Sequence, residues 1–81
     1  MGSREIKAAF NAVASPAYVA NVALLEYDRS SGAESQIMTF SGKAADGAAF
    51  TFKSRQIRPG EDVNAVAAET AQKMLDQDRP S

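Results

Sequence analysis

Two kinds of hydrophobic spacing divide the chain into five predicted elements. Near the start, Ile6, Phe10 and Val13 stand four and three residues apart, and a similar stripe runs through residues 61–77. Apolar residues at these distances share one face of a helix, whereas alternate residues share one face of a strand. Three segments between the helices have strand character: Tyr18–Asp28, Glu34–Lys43 and Ala49–Ile57. The pattern therefore predicts an α+β domain of order αβββα.

The two helices have recognisable ends. The first is predicted over Arg4–Ala14, with Ser3 as its N-cap, and Ser15-Pro16 stops it because a residue before proline is driven out of helical geometry. The second is predicted over Glu61–Gln77, with Glu61 and Asp62 in its first turn, where the helix dipole favours negative charge. Its expected buried stripe is Val63, Val66, Ala67, Thr70, Ala71 and Met74.

The second and third strands alternate as half-buried strands do. Met38 and Phe40 share one face of the second, and Phe50 and Phe52 share one face of the third. Ser30-Ser31-Gly32 offers a hairpin turn before these strands. Between them, Asp46-Gly47 fits either a type I′ turn or a four-residue loop from Ala44 to Gly47. We expect an antiparallel three-stranded meander, with the C-terminal helix packed on the Phe40, Phe50 and Phe52 face.

The segment Tyr18–Asp28 has two interpretations. Ser15 and Pro16 could start a second helix, but the β-favouring and large side chains favour a strand. As a strand it is apolar on both faces, with Val22 and Leu24 on one and Val19, Ala23, Leu25 and Tyr27 on the other. Either the N-terminal helix covers the second face, or the strand mediates self-association through Val19, Val22, Leu24, Leu25 and Tyr27.

Composition narrows the chemistry. The 81 residues are expected to form a single domain, 1–81, with frayed ends at about 1–3 and 78–81. There is no cysteine, histidine or tryptophan, so a thiolate or imidazole zinc site and a histidine-activated nucleophile are excluded. We expect no cofactor and no enzymatic activity. Neither a signal peptide nor a membrane span is recognisable, which predicts a cytoplasmic protein that does not enter a membrane.

One basic group could bind a polyanion: Lys43, Lys53, Arg55 and Arg58. Lys43, Lys53 and Arg55 are predicted to share the sheet face opposite the phenylalanines, where they could meet phosphates or simply be solvated. The order of elements resembles that of double-stranded RNA-binding domains. Those domains have a lysine cluster at the start of the final helix, where this chain has Glu61-Asp62. They also have a histidine-bearing loop between the first two strands, whereas this chain has no histidine. The resemblance therefore covers topology alone, and no function is carried over.

The sequence thus predicts a small, non-catalytic protein-interaction module. Its modest supply of large apolar side chains favours a homodimer, although another protein could be the partner. The alternative is a nucleic-acid-binding accessory protein that uses the basic sheet face, which is the less favoured hypothesis.

Overall fold

The computed structural model describes residues 3–29 and 34–78 of the chain. Its five elements follow the predicted αβββα order, so the predicted fold class is confirmed. They are α1 (Ser3–Ala14), β1 (Tyr18–Asp28), β2 (Ser35–Ala44), β3 (Ala49–Lys53) and α2 (Val63–Gln77). The predicted turn at Ser30-Ser31-Gly32 lies outside the described residues, as do residues 1–2 and 79–81 of the predicted frayed ends.

The three strands form one antiparallel sheet in the order β1-β2-β3. Tyr18–Asp28 is therefore a strand, as the β-favouring composition predicted, and the helical alternative is wrong. β1 and β3 are the two edges of the sheet. Tyr18 pairs with Ala44 and Asp28 with Ser35, so β1 lies along the full length of β2.

The turn between β2 and β3 is longer than a two-residue type I′ hairpin, but it covers residues 45–48, one residue later than the predicted loop from Ala44 to Gly47. Gly47 N–H donates to Ala44 O at 2.9 Å, and Gly47 has φ +89°. A type I′ turn needs positive φ at both central residues, but among the described residues only glycines have it. Asp46 instead accepts a hydrogen bond from Ala48 N–H at 3.0 Å, as aspartate commonly does in turns.

Both helices lie on the side of the sheet that carries the phenylalanines. Phe10 of α1 is fully buried and stacks on Phe40 with ring centroids 4.3 Å apart, and on Phe50 at 6.2 Å. α2 packs against α1, and its Ala67 and Ala71 are fully buried. Phe10 of α1 thus occupies the position over Phe40 and Phe50 that was predicted for the C-terminal helix. The predicted buried stripe of α2 is confirmed, from Val63 to Met74.

The start of α2 differs slightly from prediction. The helix begins at Val63, and Asp62 is its N-cap, with its side chain accepting from Asn64 N–H at 2.9 Å. The prediction that Glu61 and Asp62 form the first turn is therefore wrong. Before the cap, Pro59 and Gly60 form a turn in which Glu61 N–H donates to Arg58 O at 3.2 Å. Gly60 has φ +90°, the conformation for which a type II turn requires glycine.

β3 is shorter than predicted. It ends at Lys53, and Ile57 then forms an isolated bridge with Gln36. Two residues of β2 separate Gln36 from Thr39, whereas three residues, 54–56, separate Ile57 from Lys53. The extra residue breaks the alternation, as a bulge does. Ser54 and Ile57 are consequently both buried, although their spacing of three would put them on opposite faces of a regular strand.

Candidate interaction surface

The side of the sheet away from the helices is called the open face below. Strand pairing assigns its members, because residues paired across a sheet point to the same side. β1 contributes Val19, Val22, Leu24 and Glu26, which pair with Lys43, Ser41, Thr39 and Ile37 of β2. β3 contributes Ala49, Thr51 and Lys53.

A β-bulge in β1 decides which apolar side chains reach the open face. Ala20 pairs with Gly42 and Val22 pairs with Ser41, so Asn21 is an extra residue without a partner of its own. The insertion shifts the side-chain alternation by one. Val19 therefore lies on the same face as Val22 and Leu24, and the prediction that it lies opposite them is wrong.

Two contacts hold this bulge in place. The side chain of Asn11 in α1 accepts from Ala20 N–H at 2.7 Å and donates to Ala20 O at 3.1 Å, which is how a neighbouring strand would satisfy the same groups. Gly42 lies against β1 so closely that a Cβ atom there would come within 1.9 Å of Val19 O. Only glycine fits a position where two backbones approach so closely.

The open face carries a row of apolar side chains with no cover in the described residues. Val19, Val22 and Leu24 are 41%, 48% and 51% exposed. The other predicted self-association residues lie elsewhere, because Leu25 is half-buried against the core and Tyr27, although 69% exposed, is paired with Gln36 on the helix side of the sheet. Thus α1 covers one apolar face of β1, at Ala20 and Ala23, while the second face stays open.

The four basic residues predicted to form one group are divided by the structure. Lys43 and Lys53 lie on the open face, where neither forms an ion pair with another described residue. Arg55 was expected beside them, but its guanidinium contacts Glu69 of α2 at 2.7 Å and Glu61 at 3.0 Å. Arg55 lies beyond the end of β3 at Lys53, so strand alternation no longer determines which side of the sheet its side chain faces.

Arg55 is the electrostatic link between the sheet and α2. Its hydrogen bonds to Glu69 and Glu61 raise the pKa of the guanidinium. The same contacts lower the pKa of both carboxyl groups, and Arg58 N–H lowers that of Glu61 further by donating to it at 3.0 Å. With its charge satisfied by two carboxylates, Arg55 has little left to offer a phosphate, and Arg58 lies beside Glu61.

Tyr18 makes a second link to α2. Its hydroxyl donates a hydrogen bond to Asp78, the C-cap of the helix, and this bond raises the pKa of Tyr18. The ring also meets Phe50 edge-on, with centroids 5.2 Å apart. Tyr18 is therefore a packing residue, and Asp78, expected at a frayed end, joins α2 to β1.

Other features of the described residues give no site. A depression near the end of β1 and the start of β2 is lined by Tyr27, Gln36, Ile57, Pro59, Glu34 and Ser35. No three carboxylates within residues 3–29 and 34–78 are grouped as metal ligands.

The sequence signals for this surface were partial. The excess of apolar residues in β1 was visible, but the bulge was not, because Asn21 and Gly42 show their role only when the two strands are paired. Among the described helices, neither combines the length and apolar character that a bilayer span requires. No protein-family model, curated protein or solved structure matches this chain, so the open face itself is the basis for a functional proposal.

Proposed function

We propose that the protein is a small protein-interaction module that self-associates through the open face of its sheet. The observation that supports this most directly is the continuous row of Val19, Val22 and Leu24, each between 41% and 51% exposed on one strand. An antiparallel sheet with one solvated face normally alternates apolar and polar residues. Here β1 directs large apolar side chains toward solvent as well, which is expected of a strand that is covered by a partner.

The size of the face suggests a weak dimer. The face is three strands wide, at about 4.8 Å between strands, and four outward-facing residues long, at about 6.8 Å between alternate residues, which gives a projected area of about 400 Å² for each copy. The total of about 800 Å² lies below the range of stable interfaces. Burial of the exposed parts of Val19, Val22 and Leu24 supplies the hydrophobic contribution to association, which has to exceed the entropy that the two copies lose on binding.

The test is the mass of the protein in solution over a wide concentration range. Sedimentation equilibrium from about 5 to 500 μM should show a rise from the 8.6 kDa chain mass toward twice that value. Val22→Thr with Leu24→Thr should keep the protein monomeric across this range. Threonine preserves the strand propensity, so the folded chain should retain its circular dichroism.

Tyr27→Thr is the matched control. It also removes a large exposed side chain from β1, but from the side of the sheet that faces the helices. Its association should equal that of the parent. A parent that stays at the monomer mass at 500 μM would refute the proposal, and so would a double variant that associates as the parent does.

A further inference from the structure

The apolar row on the open face has charges of opposite sign at its two ends. Val19 lies at one end, beside its pairing partner Lys43, and Glu26 follows Leu24 at the other end. Both charged side chains are exposed, and neither has an ion-pair partner within the described part of the chain. Along β1 and the neighbouring strand β2, the face thus runs from positive through apolar to negative, whereas Lys53 lies apart on β3.

A second copy can cover this face through a two-fold axis in either of two simple directions, since homodimers are predominantly two-fold symmetric. An axis parallel to the strands places each set of residues paired across the strands, such as Val19 and Lys43, against the same set of the second copy, so that Lys43 meets Lys43. It also places the apolar β1 over β3, where Thr51 and Lys53 are polar. This arrangement combines like-charge repulsion with a poor apolar match.

An axis across the strands reverses the order of these cross-strand sets in the second copy. β1 then covers β1 of the second copy, and Val22 meets Leu24. The cross-strand pair of Val19 and Lys43 then meets the pair of Glu26 and Ile37 of the second copy. Lys43 consequently lies one strand spacing, about 4.8 Å, to the side of Glu26 of the second copy, within the reach of its side chain. Charges and apolar residues match at once.

Pairing of two β1 edges into a continuous sheet is another way in which β1 could join two copies. Ala20 would have to offer its backbone N–H and C=O to the new strand in that arrangement. Both groups are already bonded to the side chain of Asn11. The edge is therefore blocked at Ala20, whereas the open face is not.

We propose that two copies pack their open faces together in antiparallel orientation, around a two-fold axis across β1, with Lys43 of each copy paired to Glu26 of the other. This inference rests on the proposed self-association and adds its geometry. The partner it names is a second copy of this chain, recognised by a face that is complementary to itself.

Charge exchange tests the geometry. Glu26→Lys alone and Lys43→Glu alone each create two like-charge pairs in the dimer, and each should weaken self-association by about tenfold or more at low salt. An equimolar mixture of the two single variants should form a heterodimer of near-parental affinity, because every pair in it is again opposite. The double variant should regain self-association for the same reason.

Lys53→Glu is the control, because Lys53 lies on the same face but opposite Thr51 in this arrangement, so its affinity should change less than threefold. The results separate the two proposals. A parent that dimerises while both single variants dimerise equally well overturns the antiparallel geometry alone, as does a mixture that fails to form heterodimers. A monomeric parent overturns the self-association and this geometry together.

Discussion

Replacing Gly42 by alanine perturbs the contact on which the shape of the open face depends. The added Cβ would lie 1.9 Å from Val19 O and 2.9 Å from Ala20 Cα, both of which are backbone atoms. Real Cβ atoms stay at least 3.0 Å from such neighbours, so the two strands must separate by about 1 Å at this point. A backbone cannot rotate out of the way as a flexible side chain can, and the bulge at Asn21 has to deform.

The expected cost is near the upper end of overpacking effects, about 3 kcal/mol. A domain of this length has a total stability of about 4–12 kcal/mol, so the loss is a large part of it. At about 4–8 °C for each kcal/mol, the melting temperature should fall by about 12–24 °C. Gly47→Ala provides the comparison, because Gly47 has positive φ but nothing within 4 Å of a Cβ, and its strain alone costs about 1–2 kcal/mol.

Urea unfolding followed by circular dichroism measures both variants against the parent. Gly42→Ala should be the less stable of the two, with an unchanged dependence on urea concentration if the folded and unfolded states expose the same surface. If Gly42→Ala were as stable as the parent, or more stable than Gly47→Ala, the close approach of β1 and β2 at the bulge would be refuted.

Two further predictions concern the contacts of α2. Arg55 lowers the pKa of Glu61 and Glu69 in the folded state, so their contribution to stability is present above the carboxyl pKa of the unfolded chain and is lost as pH falls through the lowered values. Arg55→Met should therefore show a shallower fall in the free energy of unfolding between pH 7 and pH 3, whereas Lys53→Met should follow the parent. Equal slopes for the parent and both variants would refute the link between Arg55 and the two carboxylates. Met74 is 7% exposed, so Met74→Asp buries an unpaired carboxylate and should unfold the domain at a cost of several kcal/mol. Ala65→Asp, on the exposed side of α2, should leave the stability nearly unchanged. Similar melting temperatures for the two variants would contradict the observed packing of the helix.

The parts of the fold that followed from the sequence are those that depend on local periodicity. The helical stripe from Val63 to Met74 and the shared face of Phe40, Phe50 and Phe52 were predictable, because each follows from spacing within one element. The bulges were not. Asn21 and the irregular stretch 54–56 are defined by a mismatch in length between two paired strands, and that mismatch is a property of the pair.

The errors at the candidate surface follow from these two bulges. Strict alternation in β1 assigned Val19 to the wrong face, and strict alternation in β3 placed Arg55 beside Lys53. Each error came from carrying a period of two past an inserted residue. Where no bulge intervenes, as for Lys43, Lys53 and Leu24, the predicted faces agree with the structure.

The packing of α1 against α2 has a consequence for the order in which the protein can form during synthesis. Phe10 contacts the sheet, yet the stripe that α1 shares with Ala67 and Ala71 stays uncovered until Val63–Gln77 has left the ribosome. Contacts between segments so distant in sequence form late and slowly. A nascent chain that ends before Val63 would therefore expose an apolar helix face and the open sheet face together, and it would be a natural substrate for a chaperone that binds exposed apolar surface.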